Sequence, residues 1–194
     1  MTPTFIEKYH IDREVCDMLI QYFWSNKDKH IVGMVGNDTA GNGIVKPEIK
    51  NSTDMPVIIS DLHKVEPFPK MVMECVSKWV KKYAPVPTGT LGITESFNIQ
   101  WYKPGEGFPK IHTEADCYEF SSRALVFMLY LNDVPKGGTN FLHQKKITDA
   151  IKGDLIIWPS GMTHYHQGVI SNTHEKFIAT GWINWIPSNA QRIN

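Results

Sequence analysis

Cysteine is scarce and charge is balanced, and each shortage narrows what the chain can be. The three cysteines, Cys16, Cys75 and Cys117, are scattered and form no C-x-x-C pair. An odd, dispersed set argues against a disulfide framework and suits a reducing compartment. Lysine plus arginine equals aspartate plus glutamate at 20 each, so the formal net charge is zero. No global field draws nucleic acid or an anionic membrane to such a chain. The tight basic pairs Lys81-Lys82 and Lys145-Lys146 read as solvated faces. The longest run of large apolar side chains, Leu125 to Leu131, has seven residues and is too short to span a bilayer. From Met1 to Lys8 no basic segment leads into an apolar one, so no signal peptide is expected and the cytoplasm is the expected address. Neither a nucleic-acid nor a membrane partner is expected, and the sequence leaves the oligomeric state open.

What the chain does have is enough length and apolar content for one ordinary core. It has 194 residues, 42% of them hydrophobic and 21% charged, which suits a single domain over 1–194. Residues 1–87 read as a mostly helical support. Asp12 is placed to cap a helix in which Val15, Met18, Leu19 and Phe23 recur at helical spacing. Between Pro67 and Tyr83 a second stripe runs through Met71, Cys75, Val76, Trp79, Val80 and Tyr83, and Pro85-Val86-Pro87 stops it. The glycine-rich stretch from Gly33 to Gly43 reads as a loop.

After Thr88 the texture changes to short apolar or alternating runs near 98–102, 123–132, 138–142, 154–158, 163–168 and 176–185. Turn signals separate them, among them Pro104 to Gly107, Pro135 to Gly138 and Lys152 to Asp154. Many short strands without βαβ alternation predict a mainly β fold, a jelly roll over 88–186 buttressed by the N-terminal helices.

Two histidine–carboxylate pairs occur at H-x-[DE] spacing. On a strand, side chains two apart share a face, so such a pair can reach one metal ion. Two histidines and one carboxylate on one face leave open positions, the arrangement of non-haem Fe(II) oxygenases. With eight histidines and 20 acidic residues, about one such pair is expected by chance. His10-Ile11-Asp12 sits where Asp12 has a simpler role as a cap. His112-Thr113-Glu114 is different because of its surroundings. Tyr102-Lys103-Pro104-Gly105 precedes it. Arg123 to Asn132, Gly137-Gly138-Thr139-Asn140-Phe141, Lys152 to Pro159, Thr163 to Gly168 and Lys176 to Trp182 follow.

From about Thr88 to Trp185, the order and spacing of these pieces resemble the prolyl 4-hydroxylase-like branch of the Fe(II)- and 2-oxoglutarate-dependent dioxygenases. The resemblance implies a double-stranded β-helix, which is a form of jelly roll, with iron held by His112, Glu114 and His166. Glutamate stands at Glu114 where that family usually has aspartate. Asp116 and His164 share the strand parity of Glu114 and His166 and are their rivals. The resemblance also implies that Lys176 neutralises the distal carboxylate of 2-oxoglutarate, a charge that would be costly to bury unpaired. Tyr102 and Tyr130 would bind the cosubstrate, Thr180 and Trp182 would line the pocket, and Arg123 would lie on the substrate side. The implied reaction is hydroxylation of proline in a peptide or protein. Fe(II), 2-oxoglutarate and O2 are the implied cofactors, with L-ascorbic acid as reductant. Gly33 to Gly43 and Cys117 to Ser122 are candidate lids. A free amino acid or another side chain is an alternative substrate, and a non-catalytic metal-binding jelly roll is an alternative of a different class.

Overall fold

A computed structural model describes residues 3–36, 43–84 and 89–187. In chain order it contains strand β1 (Glu7–His10), helix α1 (Arg13–Ser25), β2 (Ile31–Val32), β3 (Thr53–Val57), helix α2 (Phe68–Tyr83) and β4 (Thr90–Gly92). There follow β5 (Phe97–Tyr102), β6 (Arg123–Tyr130), β7 (Thr139–Phe141), β8 (Lys146–Ile147), β9 (Asp154–Pro159), β10 (His166–Gly168) and β11 (Lys176–Ile186). The larger sheet runs β1-β9-β6-β11-β5-β3-β2, with β4 also paired to β11, and the smaller runs β10-β7-β8. All strand pairings among the described residues are antiparallel. This is a mostly β jelly-roll core with few helices.

Both faces of the larger sheet are covered, and strand parity divides them. On β6, Leu125, Phe127 and Leu129 face the helices, packing with Val15, Leu19, Phe23, Val72 and Val76. Their neighbours Val126, Met128 and Tyr130 face the smaller sheet and join Phe141, Trp158 and Ile178. A strand buried on both sides reads as a continuous apolar run, as Leu125 to Leu131 does. Gly181 marks the tightest approach on the helix side. A Cβ there would lie 2.5 Å from the Phe97 Cβ and 2.8 Å from Phe127 Cζ, so β11 tolerates no side chain at that point.

The helical stripes fall where the spacing put them. Val15, Cys16, Leu19 and Phe23 are buried along α1, and Val72, Cys75, Val76 and Trp79 along α2. Asp12 does occupy the first cap position, but its side chain makes no capping hydrogen bond. Only its backbone carbonyl engages, accepting from the Val15 N–H at 3.0 Å. The first 87 residues also supply β1, β2 and β3 to the larger sheet, alongside the two helices. Pro85-Val86-Pro87 lies outside the described residues, as do positions 37–42 of the Gly33–Gly43 loop. The run at 163–168 is strand only from His166; Met162–His164 is a single 3-10 turn.

Candidate metal centre and cosubstrate cavity

The two candidate histidines are directly opposed across an antiparallel bridge. The His112 N–H donates to the His166 carbonyl at 3.0 Å, and the His166 N–H returns a bond to the His112 carbonyl at 2.9 Å. Exchanging both bonds makes them a hydrogen-bonded pair on one rung, which brings their side chains together on one face. Glu114 is pinned nearby through its own backbone. Its N–H donates to the Ser160 carbonyl at 3.1 Å, and its carbonyl accepts from Arg123 Nη1 at 3.0 Å. Between the two, the Thr113 hydroxyl donates to the Ser160 carbonyl at 2.6 Å.

These constraints converge three ligand atoms. Glu114 Oε1 lies 3.4 Å from His112 Nε2 and 3.5 Å from His166 Nε2. All three ligating atoms fall within 4.8 Å of one another. Ligands at about 2.1 Å from one ion and at right angles lie about 3 Å apart, so the triad needs only slight contraction to hold a metal. Each Nδ1 is occupied by a backbone carbonyl, that of Lys110 at 2.8 Å for His112 and that of His164 at 2.9 Å for His166. Those bonds fix the tautomer that leaves Nε2 free as a ligand. The Trp182 indole N–H donates to Glu114 Oε2 at 2.9 Å, which reserves Oε1 for the metal. Burial alone would raise the Glu114 carboxyl, but in the metal-free protein an Nε2–H of His112 or His166 donating to it outweighs burial and holds it well below the carboxylate range. Phe108 stacks on the His112 ring at 3.9 Å, and Trp158 meets the His166 ring edge-on at 5.1 Å.

The rivals are placed elsewhere. His164 is buried, but its Nε2 bonds the Thr4 carbonyl at 3.0 Å and its Nδ1 the Thr163 hydroxyl at 2.9 Å. It sits in a 3-10 turn, so the strand parity that equated it with His166 does not apply. Asp116 is exposed at the cavity mouth and is not among the converging atoms.

A cavity of about 740 Å³ opens on the triad. Along its sheet wall, Tyr130, Ile178, Gln100, Asp54 and Ile31 form one cross-strand row on β6, β11, β5, β3 and β2. Lys176 pairs with Tyr102 across β11 and β5. It is 5% exposed, and its ammonium donates to the carbonyls of Val169 at 2.8 Å and Gly137 at 3.1 Å. No carboxylate partners it among the described residues, and burial pushes its pKa down to about 8. A desolvated cation held only by carbonyls suits an anionic ligand. The Tyr130 hydroxyl lies 2.9 Å from both the Thr139 and Thr148 hydroxyls, and burial raises it to about 12. The Thr180 hydroxyl donates to the Phe127 carbonyl at 3.1 Å.

Arg123 reaches the cavity with its donors already committed. It forms two bonds to Glu95, at 2.9 and 2.6 Å, and one to the Glu114 carbonyl. Its guanidinium is sandwiched between Trp182 at 3.6 Å and Phe120 at 4.0 Å, so it braces Trp182 and Glu114. Sequence reasoning missed Lys50, Ser52 and Asp54, which are buried beside the cavity. Lys50 Nζ and the Ser52 hydroxyl both donate to the Asp54 carboxylate. Their signal was the polar run Lys50 to Asp54, which has no helical or alternating pattern.

A jelly roll that presents two histidines and a carboxylate on one face defines a mononuclear non-haem metal protein. Residues 97–184 match the family model of the 2OG-Fe(II) oxygenase superfamily, and that segment holds the triad, Lys176, both tyrosines and Trp182. It is to that superfamily that this segment, 88 of the 194 residues, is similar. Similar solved structures include a viral collagen prolyl hydroxylase from Paramecium Bursaria Chlorella virus-1 in complex with 2OG. It is 19% identical, with 94% of this chain and 97% of that one covered and a TM-score of 0.68. A prolyl hydroxylase from Trichoplax adhaerens, in complex with a hypoxia inducible factor peptide fragment, is 13% identical, with 97% and 87% covered and a TM-score of 0.71. A prolyl-4-hydroxylase from Pseudomonas putida is 12% identical, with 94% and 93% covered and a TM-score of 0.66. At these identities the likeness is one of fold. No curated protein matches the sequence.

Proposed function

We propose that this protein is a 2OG-Fe(II) oxygenase that hydroxylates proline in a peptide or protein while decarboxylating 2-oxoglutarate to succinate. The observation that carries the cosubstrate is Lys176, a buried ammonium with no carboxylate partner among the described residues, on the same cavity as the triad. Bound at the triad, Fe(II) with 2-oxoglutarate and O2 supplies the oxidising chemistry, and the chain supplies orientation and exclusion of water. Lys176 neutralises the distal carboxylate of the cosubstrate, and Tyr130 offers a phenol hydroxyl beside it. His112, His166 and Glu114 hold the ion, with tautomers and carboxylate orientation already set. Met128, Ile178 and Trp158 form an apolar floor that keeps water off the site. Proline is favoured by the three fold neighbours described above, which are prolyl hydroxylases by name.

The test is direct. With Fe(II), ascorbate and 2-oxoglutarate, the protein is expected to release succinate and to add one oxygen mass to members of a Pro-containing peptide pool. His166→Ala is expected to abolish both. Succinate release that survives in that variant defeats the ligand assignment. Release without peptide oxidation points instead to a free amino acid or another side chain.

A further inference from the structure

The cavity wall contains a hydrogen-bond chain whose direction can be read from chemistry. Asp54 is 3% exposed, and its carboxylate accepts from Lys50, from the Ser52 hydroxyl at 2.7 Å and from Gln100 Nε2 at 3.4 Å. A carboxylate paired with a lysine is an acceptor only. Gln100 must therefore turn its NH2 toward Asp54 and its carbonyl the other way. That carbonyl oxygen lies 2.6 Å from the Tyr102 hydroxyl, and it can only accept. The Tyr102 proton is thus used on Gln100, the Ser52 hydroxyl also lies against the phenol, and what the phenol has left for the cavity is a lone pair. Tyr130 differs, because its two partners are hydroxyls that can each donate or accept. Its proton can be re-aimed at an anion without stranding a neighbour. Turning the Tyr102 proton toward a carboxylate would leave the buried Gln100 carbonyl without a donor.

We propose that Asp54 is a positioning residue that fixes the polarity of the Gln100–Tyr102 pair, so that Tyr102 presents an acceptor to the cavity. Tyr102 then suits an N–H or O–H donor of the prime substrate, and not a carboxylate of the cosubstrate. This departs from the role the sequence resemblance gave Tyr102, and it rests on the 2-oxoglutarate reading above. Lys176 and Tyr130 carry the cosubstrate carboxylate. Tyr102, the cross-strand neighbour of Lys176, and the Lys50–Asp54 pair one strand beyond it continue the same cavity wall with an acceptor and a satisfied ion pair.

Titration of the Mn(II)-loaded protein with 2-oxoglutarate separates the possibilities. The expected result is that Tyr102→Phe binds 2-oxoglutarate within about twofold of the parent, whereas Lys176→Met loses binding. If parent and Lys176→Met alike bind none, the functional reading falls and this proposal with it. A tenfold or greater loss in Tyr102→Phe, with the parent binding normally, overturns this proposal alone. The role of Asp54 is read from coupling. In Asp54→Asn the side chain can donate, Gln100 can flip, and Tyr102 is released to donate to the ligand. Adding Tyr102→Phe in that background is expected to weaken 2-oxoglutarate binding about tenfold, the scale of a hydrogen bond to a charged group. No added effect there overturns the positioning role. Gln100→Met, which removes the carbonyl and keeps the Lys50–Asp54 pair, reports the same coupling where Asp54→Asn does not fold.

Discussion

Replacing Lys176 with methionine is expected to stabilise the ligand-free protein while abolishing cosubstrate binding. The side chain is buried, its ammonium is held by two carbonyls, and burial lowers its pKa from 10.5 to about 8. At about 1.4 kcal/mol per pH unit, that drop corresponds to about 3 kcal/mol of destabilisation. Methionine fills similar space without the charge but leaves two carbonyls to find water in the cavity, which takes back part of the gain. A net gain of about 1–2 kcal/mol remains, worth roughly 3–6 °C in melting temperature for a domain of this size. The pH dependence gives the sharper signature. The unfolded chain holds the lysine proton up to 10.5 and the folded chain only to about 8, so the unfolded state binds more protons between those values. The penalty is therefore complete below pH 8, shrinks as pH rises, and is gone above 10.5. Thermal melts of both proteins from pH 7 to 10.5 should show a variant advantage that is flat at first, then falls and changes sign, because the cost of the two stranded carbonyls does not titrate. Comparing the two cancels the buried tyrosines and cysteines, which titrate alike in both. With Mn(II) and 2-oxoglutarate present the order should reverse, because only the parent gains binding energy. A variant that melts several degrees lower at pH 7 without ligand, or an advantage that persists to pH 10.5, would refute the reasoning.

Trp182→Phe keeps the aromatic packing against Arg123 but removes the N–H that holds Glu114 Oε2. Metal affinity measured by competition with a chromogenic chelator is expected to fall about tenfold, the lower end for loss of a ligand-orienting hydrogen bond. An unchanged affinity would show that Arg123 and Ser160 fix Glu114 without help from the indole. His164→Ala removes the bonds to Thr4 and Thr163 and is expected to cost about 1–3 kcal/mol in urea melts while retaining a bound metal equivalent. Loss of that equivalent with the fold intact would return His164 to the ligand set.

How much of this was legible depends on whether local pattern and tertiary role agree. β5, β6, β9 and β11 are long, and their alternate positions face two different layers, so parity alone put Gln100 with Tyr102 and Lys176 with Trp182. β3 was invisible because Thr53-Asp54-Met55-Pro56-Val57 carries a charge and a proline, both unusual in a strand. Asp54 is tolerated there because Lys50 and Ser52 satisfy it. β1 was hidden because Glu7 to His10 is polar and pairs only at the sheet edge, against β9. The choice between His164 and His166 could not be made by period two, since the backbone is helical at 162–164 and extended only from 166. Arg123 looked like a free substrate-side cation because nothing local announces Glu95, 28 residues away.

The Thr4 carbonyl has a consequence for anyone handling the protein. It accepts from His164 Nε2, and the His164 carbonyl in turn accepts from Nδ1 of His166. Two hydrogen bonds thus connect the leading segment of the chain to the far side of a candidate metal ligand. A change in the backbone path at Thr4 is therefore not remote from the chemistry. It pulls on the bracket that keeps one imidazole aimed at the ion.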